Sequence, residues 1–325
     1  MIVTVTPNPS LDRTYDVREL AVGELNRATG THVHPGGKGI NLSRALSRHG
    51  VPTCAVLPLG GADGAELAVL LEALDIEVHA VPVSGSTRSN VAVVDASGVT
   101  TKVNAAGPRL GPEETSALVA AVEHELDAAR QDRASWLVLA GTVPDVAGTE
   151  LYPALVAAAQ ARGVPVAVDA SGDDLVGTVR AGGTDLLKPN LEELWELLGD
   201  EPTTVGGIVD GARSVLRRGH RQVLVSLGAE GALLVTADAT WWAGGSPIVP
   251  RSTVGAGDCT LAGFLAATGG PDERLRAGVA WGRAAVSLPG SAAPGPDDLD
   301  LAAVRLLPEP PADARPADLV PLTTG

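Results

Sequence analysis

The amino-acid sequence predicts an α/β fold built around a mainly parallel β-sheet. Short apolar or β-branched runs alternate with longer stretches rich in Ala and Leu, as in successive strand–helix–strand units. The runs at 137–139 and 224–225 are continuously apolar, which is typical of strands buried on both faces. Hydrophobic residues make up 45% of the 325 residues and charged residues 19%, so the chain is expected to fold rather than remain disordered.

The alternation of patterns predicts the individual elements. The predicted strands are 2–6, 54–59, 136–140, 165–169, 185–188, 223–227 and 232–236. The predicted helices are 39–49, 65–74, 113–129, 151–162, 191–198 and 208–218. Two regions, about 12–33 and 81–103, contain alternating segments without helices between them, which predicts antiparallel strands in a small accessory sheet. Residues 308–325 contain five prolines and little periodicity, which predicts an extended tail.

Composition and charge exclude several classes of function. The net charge of −15 argues against nucleic acid and anionic membranes as partners, because no basic excess is available to neutralise them. No apolar run approaches the ~18–20 residues that a membrane-spanning helix needs. The two cysteines, Cys54 and Cys259, are too far apart for a CxxC site and too few to staple a chain of this length. A reducing cytoplasm is therefore expected.

The strongest chemical signal is a glycine-rich turn at 253–258, Thr-Val-Gly-Ala-Gly-Asp, which runs directly into an apolar helix. Glycines let the backbone approach a ligand closely, and free N–H groups at a helix start attract anions. The N–H groups of Ala256, Gly257 and Asp258 could therefore hold a phosphoryl group while the Asp258 carboxylate takes a hydroxyl proton. The alternative is a plain turn in which Asp258 only caps the helix.

Lysine is rare in this chain. Of 24 basic residues only Lys38, Lys102 and Lys188 are lysines, so arginine serves wherever any cation is sufficient. A lysine that remains is more often needed for its compact ammonium group, which arginine does not reproduce.

Two of these lysines stand in further motifs. Lys38 lies in Pro-Gly-Gly-Lys-Gly-Ile-Asn at 35–41, which is either a sugar or phosphate cradle at a helix start or a flexible loop with an ordinary cap. Lys188 ends an apolar strand, and Asn190 and Glu193 follow it three residues apart at a helix start. This pair could reach the water shell of Mg²⁺, or it could be a simple capping pair.

A further segment, Ser-Leu-Gly-Ala-Glu-Gly at 226–231, could admit a nucleotide, although alone it is only a weak hairpin signal. Together these motifs resemble the pfkB family of ribokinase-like carbohydrate kinases, and within it the 1-phosphofructokinases and tagatose-6-phosphate kinases. The resemblance covers roughly residues 1–295. It rests on seven ordered segments: 6–12, 35–41, 87–90, 141–144, 188–193, 225–228 and 253–258.

The resemblance implies a ribokinase-like, doubly wound α/β kinase domain over residues 1–307, with a small β-sheet lid. It also implies ATP and Mg²⁺ as cofactors and a homodimer formed through the lid. The implied reaction converts fructose 1-phosphate to fructose 1,6-bisphosphate. Tagatose 6-phosphate or fructose 6-phosphate is an alternative substrate. A non-catalytic sensor of sugar phosphates is a more remote alternative, because the base and the anion hole are both present.

The resemblance also implies a role for each candidate site residue. Asp258 is implied as the catalytic base, and Gly255, Ala256 and Gly257 form the anion hole. The implied ATP-binding residues are Lys188, Asn190, Ser226, Gly228, Gly231 and Thr253, and Asn190 and Glu193 hold Mg²⁺ through water. The residues implied for the sugar are Asp12, Gly37, Gly39, Asn41 and Asn90. The basic residues expected to bind the phosphate already on the substrate are Lys38, Arg88, Lys102 and Arg27, the last from the partner's lid.

Overall fold

The computed structural model of the chain describes residues 1–129, 136–144 and 151–320. Ten strands form the main sheet: β1 (Ile2–Val5), β4 (Thr53–Leu59), β5 (Glu77–Pro82), β8 (Trp136–Ala140), β9 (Val166–Asp169), β10 (Leu186–Leu187), β11 (Val223–Ser226), β12 (Ala232–Val235), β13 (Thr240–Gly244) and β14 (Arg305–Pro308). Four strands form a separate sheet: β2 (Ser10–Asp16), β3 (Gly30–Gly36), β6 (Arg88–Val94) and β7 (Thr100–Asn104).

Helices cover both faces of the main sheet. Their bounds are α1 (Lys38–Arg48), α2 (Gly61–Glu72), α3 (Pro112–Ala129), α4 (Leu151–Gln160), α5 (Gly172–Ala181), α6 (Leu191–Leu198), α7 (Val205–Leu216), α8 (Ala256–Ala266), α9 (Pro271–Val286) and α10 (Pro316–Leu319). Two large apolar clusters lie on opposite faces of the sheet, and the strand residues alternate between them: Val3 packs in one cluster and Ile2 in the other. The predicted mainly parallel sheet flanked by helices, with a second small sheet, is confirmed.

The order of the main sheet is β14-β13-β12-β11-β10-β9-β8-β1-β4-β5. The strands from β5 to β11 are parallel, and β12, β13 and β14 extend the sheet in antiparallel fashion. The chain adds β4 and β5 on one side of β1 and later crosses to β8 on the other side. Ligands of such sheets bind beyond the carboxyl ends of the strands near this change of direction. Asp169, Lys188 and Ser226 lie at or directly after such strand ends.

The small sheet, here called the lid, has the order β3-β2-β6-β7. In the predicted accessory regions, β6 and β7 pair antiparallel, as expected, but β2 and β6 pair in parallel. The structure also places residues 81–82 at the end of β5 in the main sheet, not in the accessory sheet, because they pair with Pro58 and Leu59 of β4. The chain passes between the main domain and the lid four times, so the lid is held at several points.

The structure differs from the expected extended tail. Pro308 belongs to β14, which pairs with β13, and α10 follows with Pro316 and Leu319 buried. The proline-rich composition led to this expectation, but a proline at the first position of a helix is preorganised for helical geometry. Leu319 then packs into the same apolar cluster as α7, so residues 305–320 lie along the main domain. Among the described residues, no helix is both long and apolar enough to cross a membrane.

Candidate active site

Helix α8 begins at the predicted glycine-rich turn and positions Asp258. Gly255 precedes the helix with φ 77°, a left-handed conformation that favours glycine. The Ala256 N–H donates to the Thr253 carbonyl at 3.4 Å, unlike the expectation that it is free for an anion, whereas the N–H groups of Gly257 and Asp258 lie in the first turn, where a helix leaves N–H groups without a carbonyl partner. Asp258 is 7% exposed, and its carboxylate accepts a hydrogen bond of 2.9 Å from the Asn41 amide of α1. The helix start therefore presents an anion-binding backbone and an oriented carboxylate at one point.

The surroundings of Asp258 raise its pKa to about 6. Burial is the main cause, because it disfavours the charged form, and the neighbouring Asp169 carboxylate adds to the effect. The hydrogen bond from Asn41 and the nearby ammonium groups of Lys188 and Lys38 act in the opposite direction. A carboxylate with this pKa is ionised at neutral pH and is a stronger base than an exposed aspartate.

Asp169 joins two of the three lysines. Its Oδ1 lies 2.7 Å from Lys38 Nζ and its Oδ2 lies 2.8 Å from Lys188 Nζ, while the carboxylate itself is 1% exposed. Burial would raise the pKa of Asp169, but the two lysines hold it below its usual value. Burial would likewise lower the pKa of Lys38, and the charge of Asp169 outweighs that effect and raises it. The three groups therefore form a charged cluster.

Sequence reasoning missed Asp169. The available signal was weak: a single carboxylate at the end of the apolar strand β9, next to the end of β10 where Lys188 had been singled out. The contact with Lys38 spans 131 residues of chain. The structure consequently places Lys38 with Asp169, and not beside Arg88 and Lys102 as the sequence analysis expected.

Asn190 and Glu193 form a capping box at the start of α6. The Asn190 side chain accepts from the Glu193 N–H at 2.7 Å, and Glu193 Oε2 accepts from the Asn190 N–H at 2.8 Å. The other carboxylate oxygen, Glu193 Oε1, takes no part in the capping box and lies 3.8 Å from Lys38 Nζ. Within the described ranges, no cluster of three or more His, Cys, Asp or Glu residues assembles a metal site.

These groups surround one cavity of about 590 Å³. All residues predicted to be catalytic or to bind ATP line it: Gly255, Ala256, Gly257, Asp258, Lys188, Asn190, Ser226, Gly228, Gly231 and Thr253. Lys38, Asn41, Asp169 and Glu193 line it as well. The lining also includes five apolar residues: Ile248, Pro250, Val254, Val279 and Val286. The cavity thus combines charged groups with apolar side chains, and the apolar side chains suit an aromatic base.

The lid contributes a second group of predicted residues. Asp12 of β2 accepts hydrogen bonds from Asn90 of β6 at 2.9 Å and from Ser10 at 2.8 Å. Gly36 approaches Asp12 so closely that a Cβ there would collide with the carboxylate. Gly37 has φ 127°, a conformation that favours glycine, directly before α1. These contacts keep a polar cluster at the junction of the lid and α1.

Several polar atoms in this part of the molecule have no partner. Arg88 Nη1 donates to the Ala105 carbonyl at 3.1 Å, whereas its buried Nε is unpaired. Asn41 Oδ1 and Asn90 Oδ1 are also buried without a hydrogen bond. Buried polar atoms are costly unless paired, so these atoms are available to a polar ligand.

Of the residues predicted to bind the substrate, only Lys38 and Asn41 line the cavity; among the described residues, those outside its lining are Asp12, Gly37, Gly39, Arg88, Asn90, Arg27 and Lys102. Arg27 lies in an exposed loop between β2 and β3, and Lys102 lies in the exposed edge strand β7. In the part of the chain that the structure describes, neither lines the cavity. Lys102 pairs in register with Ala92, which lies two residues from Asn90 on the same strand, so Lys102 and Asn90 share one face of the lid.

Comparison with known proteins identifies the family. Residues 5–298 match the sequence profile of the pfkB family carbohydrate kinase. The chain belongs to the pfkB family of carbohydrate kinases. It is therefore a phosphotransferase that acts on a hydroxyl group.

Individual pfkB relatives cover most of the chain. It is 34% identical over 291 residues to 1-phosphofructokinase of Bacillus subtilis (strain 168), which covers 87% of this chain and 92% of that protein. It is 33% identical over 289 residues to the ATP-dependent 6-phosphofructokinase isozyme 2 of Escherichia coli (strain K12), and this match covers 87% of this chain and 92% of that protein. It also resembles the structure of the tetrameric inhibited form of phosphofructokinase-2 from Escherichia coli, with a TM-score of 0.82 and 32% identity over 91% of this chain and 96% of that one.

Proposed function

We propose that this pfkB kinase uses ATP and Mg²⁺ to phosphorylate fructose 1-phosphate on its 6-hydroxyl group, giving fructose 1,6-bisphosphate. The observation that carries this proposal is the Asp258 site: a buried carboxylate with a raised pKa, oriented by Asn41 at a helix start that lines the cavity. The similarity to a protein named 1-phosphofructokinase supports the choice of substrate.

Asp258 acts as the general base in this proposal. It accepts the proton of the sugar hydroxyl as that oxygen forms a bond to the γ-phosphorus of ATP. The bond from the γ-phosphorus to the bridging oxygen breaks, and ADP leaves with the electron pair. The first-turn N–H groups of Gly257 and Asp258 donate to the phosphoryl oxygens, where negative charge accumulates.

Lys38 and Lys188 are proposed to bind the transferred phosphoryl group. Lys188 Nζ would lie 3.4 Å from a Cβ placed on Gly257, so it is a direct neighbour of the anion hole. Asp169 holds both ammonium groups at this point through contacts of 2.7 and 2.8 Å. This assignment gives Lys38 a role with ATP in place of the role with the substrate's own phosphate.

The residues present fit a water-bridged Mg²⁺. This ion takes oxygen ligands, keeps several waters and needs only one or two carboxylates. The capping box leaves Glu193 Oε1 without a backbone partner at the edge of the cavity, and Asn190 lines the same cavity. When bound with ATP, Mg²⁺ supplies charge neutralisation at the phosphates.

The sugar is proposed to lie between Asp258 and the lid. The Asp12–Asn90 pair and the unpaired Asn41 Oδ1 can bind its hydroxyl groups. Arg88, whose Nε is buried and unpaired, is the cation proposed to bind the phosphate that the substrate already carries. A charged acceptor there would complete the hydrogen bonding of its guanidinium group.

Fructose 6-phosphate is the second candidate substrate, because the chain is nearly as similar to a 6-phosphofructokinase as to a 1-phosphofructokinase. The two substrates carry a phosphate at one end and a free hydroxyl at the other, so the same site could hold either in opposite directions. Tagatose 6-phosphate also carries a phosphate at one end and a free hydroxyl at the other, so it is a further alternative substrate.

A homodimer formed through the lid is also proposed. The lid region exposes apolar side chains that a second copy could cover: Val22, Leu25, Val99 and Val103 are between 61% and 92% exposed. Arg27, close to Leu25, would then be able to reach the partner's site. The proposed location is the cytoplasm, where ATP is available and the two buried, unpaired cysteines stay reduced.

The test is ADP release, measured by a coupled assay with a panel of fructose 1-phosphate, fructose 6-phosphate, tagatose 6-phosphate and fructose. Fructose 1-phosphate is expected to give the highest kcat/KM, and neutral fructose the lowest. A preference for fructose 6-phosphate would support the second candidate. Faster turnover of fructose than of every phosphate would refute a sugar-phosphate kinase. If none of the four compounds led to ADP release, the result would point to a non-catalytic sensor.

A further inference from the structure

The last described segment of the chain lies outside the part that matches the pfkB profile and packs beside the cavity. β14 adds to the edge of the main sheet by pairing with β13. Just after it, Glu309 accepts a hydrogen bond of 2.9 Å from the Thr240 N–H, and its own N–H donates to the Thr240 carbonyl. Residues 309–320, which continue from this point, are called the C-terminal strap below.

The strap is fixed to the start of α7. The Val205 N–H donates to the Ala314 carbonyl and the Gly206 N–H donates to the Ala312 carbonyl, each at 2.8 Å. Gly206 permits this approach, because a Cβ there would lie 2.9 Å from the Ala312 oxygen. Leu319 is 6% exposed and belongs to the same apolar cluster as Val205. The strap is therefore a packed part of the main domain.

The end of the strap lies against a wall of the cavity. Helix α10 contacts the 3₁₀ turn Gly228–Glu230, which contributes Gly228 and Ala229 to the lining. The Trp242 indole of β13 donates to the Glu230 carbonyl at 2.8 Å. A single 3₁₀ turn has little internal stability, so its position depends on these neighbours.

We propose that the C-terminal strap is a positioning element for the nucleotide: by packing against the 3₁₀ turn Gly228–Glu230, it holds that wall of the cavity in the conformation that binds ATP. The inference rests on the proposed function in assigning this cavity to ATP. The contacts described for the strap run to Thr240, to the start of α7 and to the 3₁₀ turn, and none of them involves Asp258 or the lid, so loosening the strap weakens nucleotide binding and leaves binding of the sugar phosphate unchanged. The physical cause is that a loosened turn must be ordered again when the ligand binds.

The test compares Leu319→Ala with Leu71→Ala. Leu71 is a buried leucine of α2 in the apolar cluster near the lid, far from the 3₁₀ turn, so its truncation provides a similar loss of core packing. Isothermal titration with a non-hydrolysable ATP analogue gives Kd, and steady-state assays give KM for ATP and for the sugar phosphate. Leu319→Ala is expected to raise Kd and KM for ATP about five- to tenfold, comparable to the loss of one hydrogen bond. KM for the sugar phosphate and kcat at saturating ATP are expected to stay within about twofold.

The proposal is overturned if Leu319→Ala leaves Kd unchanged, if Leu71→Ala weakens the analogue equally, or if the parent does not bind the analogue. Should Leu319→Ala fail to fold, Asp318→Ala replaces it. This variant removes the carboxylate that accepts from the Arg315 N–H at 3.0 Å at the start of α10, and it leaves no cavity. A rise in Kd of about two- to fivefold is then expected, and an unchanged Kd counts against the strap. Binding of the ATP analogue is measured without a sugar. If no sugar phosphate were turned over, the proposed function would therefore be refuted, but the proposed role of the strap would not be.

Discussion

The carboxyl edge of the main sheet and the lid both supply residues to the candidate active site, but they do so in very different surroundings. Strands β1, β4, β8 and β9 are buried along their whole lengths, and Asp169, Lys188 and Asp258 remain nearly inaccessible to water. In the lid, by contrast, every residue of β7 is exposed and every residue of β6 is only half-buried.

This difference in burial predicts different roles for the two regions. Electrostatic interactions are stronger where water is excluded, so the buried edge can hold opposed charges within 3 Å and shift the pKa of Asp258. Groups on the lid remain largely hydrated until a ligand or a second copy covers them. Changes at the buried edge are therefore expected to affect turnover and folding strongly, whereas changes in the lid should affect mainly the binding of the sugar phosphate.

The largest expected effect is that of Asp258→Asn, which keeps the side-chain size and removes the base. General base catalysis contributes ~10²–10⁴-fold, so kcat should fall by that order while an ATP analogue still binds. The matched control is Asp238→Asn, at an exposed bend far from the cavity lining. Activity of Asp258→Asn within about threefold of the parent would disprove the role of this carboxylate.

Asp169→Asn tests the charged cluster at the same edge. The substitution leaves Lys188 buried without its counter-ion, and breaking a buried ion pair in this way costs about 3–5 kcal/mol of unfolding free energy. Urea denaturation provides the measurement. Asp185→Asn is the control, because the partner of Asp185, Arg221, is 80% exposed and such a pair contributes little. Equal losses in the two variants would contradict the special role of Asp169.

Arg88→Ala tests the lid side of the comparison. A charge-assisted hydrogen bond contributes ~1.5–3 kcal/mol, so KM for the sugar phosphate should rise about ten- to a hundredfold with KM for ATP little changed. Arg18→Ala, at an exposed position near the end of β2, is the control. If Arg88→Ala raised both KM values equally, the lid would not be specific to the sugar phosphate, and the predicted difference in roles would be refuted.

The pH dependence gives the smallest and finest test. Asp258 must be ionised to act as a base, so kcat/KM should decrease about tenfold per pH unit as the pH falls below about 6. Because the pKa is raised from 3.8 to about 6 in the folded state, the ionised carboxylate destabilises the fold above about pH 6, and the effect is lost progressively as the pH falls from about 6 towards 3.8. Asp258→Asn should therefore be more stable than the parent at pH 8, with the difference closing below pH 6. If the difference in unfolding free energy between Asp258→Asn and the parent were the same at pH 8 and well below pH 6, the raised pKa of Asp258 would be disproved.

The sequence singled out many of the residues that line the cavity because each of them stands in a local pattern. Gly255 and Asp258 sit where a turn enters an apolar helix, and Asn190 follows a strand that ends in lysine. The role of Asp169 could not be predicted, because its own strand contains no motif and its partner Lys38 is distant in sequence. The parallel pairing of β2 with β6 and the packing of Leu319 likewise depend on contacts between remote segments, which no local pattern contains.

The capping box at α6 has an evolutionary consequence. Asn190 and Glu193 each satisfy a backbone group at the start of that helix, whatever chemistry they also support. A descendant of this protein that abandoned catalysis would still be selected to keep both side chains, because losing a cap destabilises a helix by about 1 kcal/mol. The presence of this pair in a related sequence is thus poor evidence that the sequence encodes a working enzyme. Asp258, whose buried charge opposes stability, is the residue that drift would remove first, and its survival is the better indicator of activity.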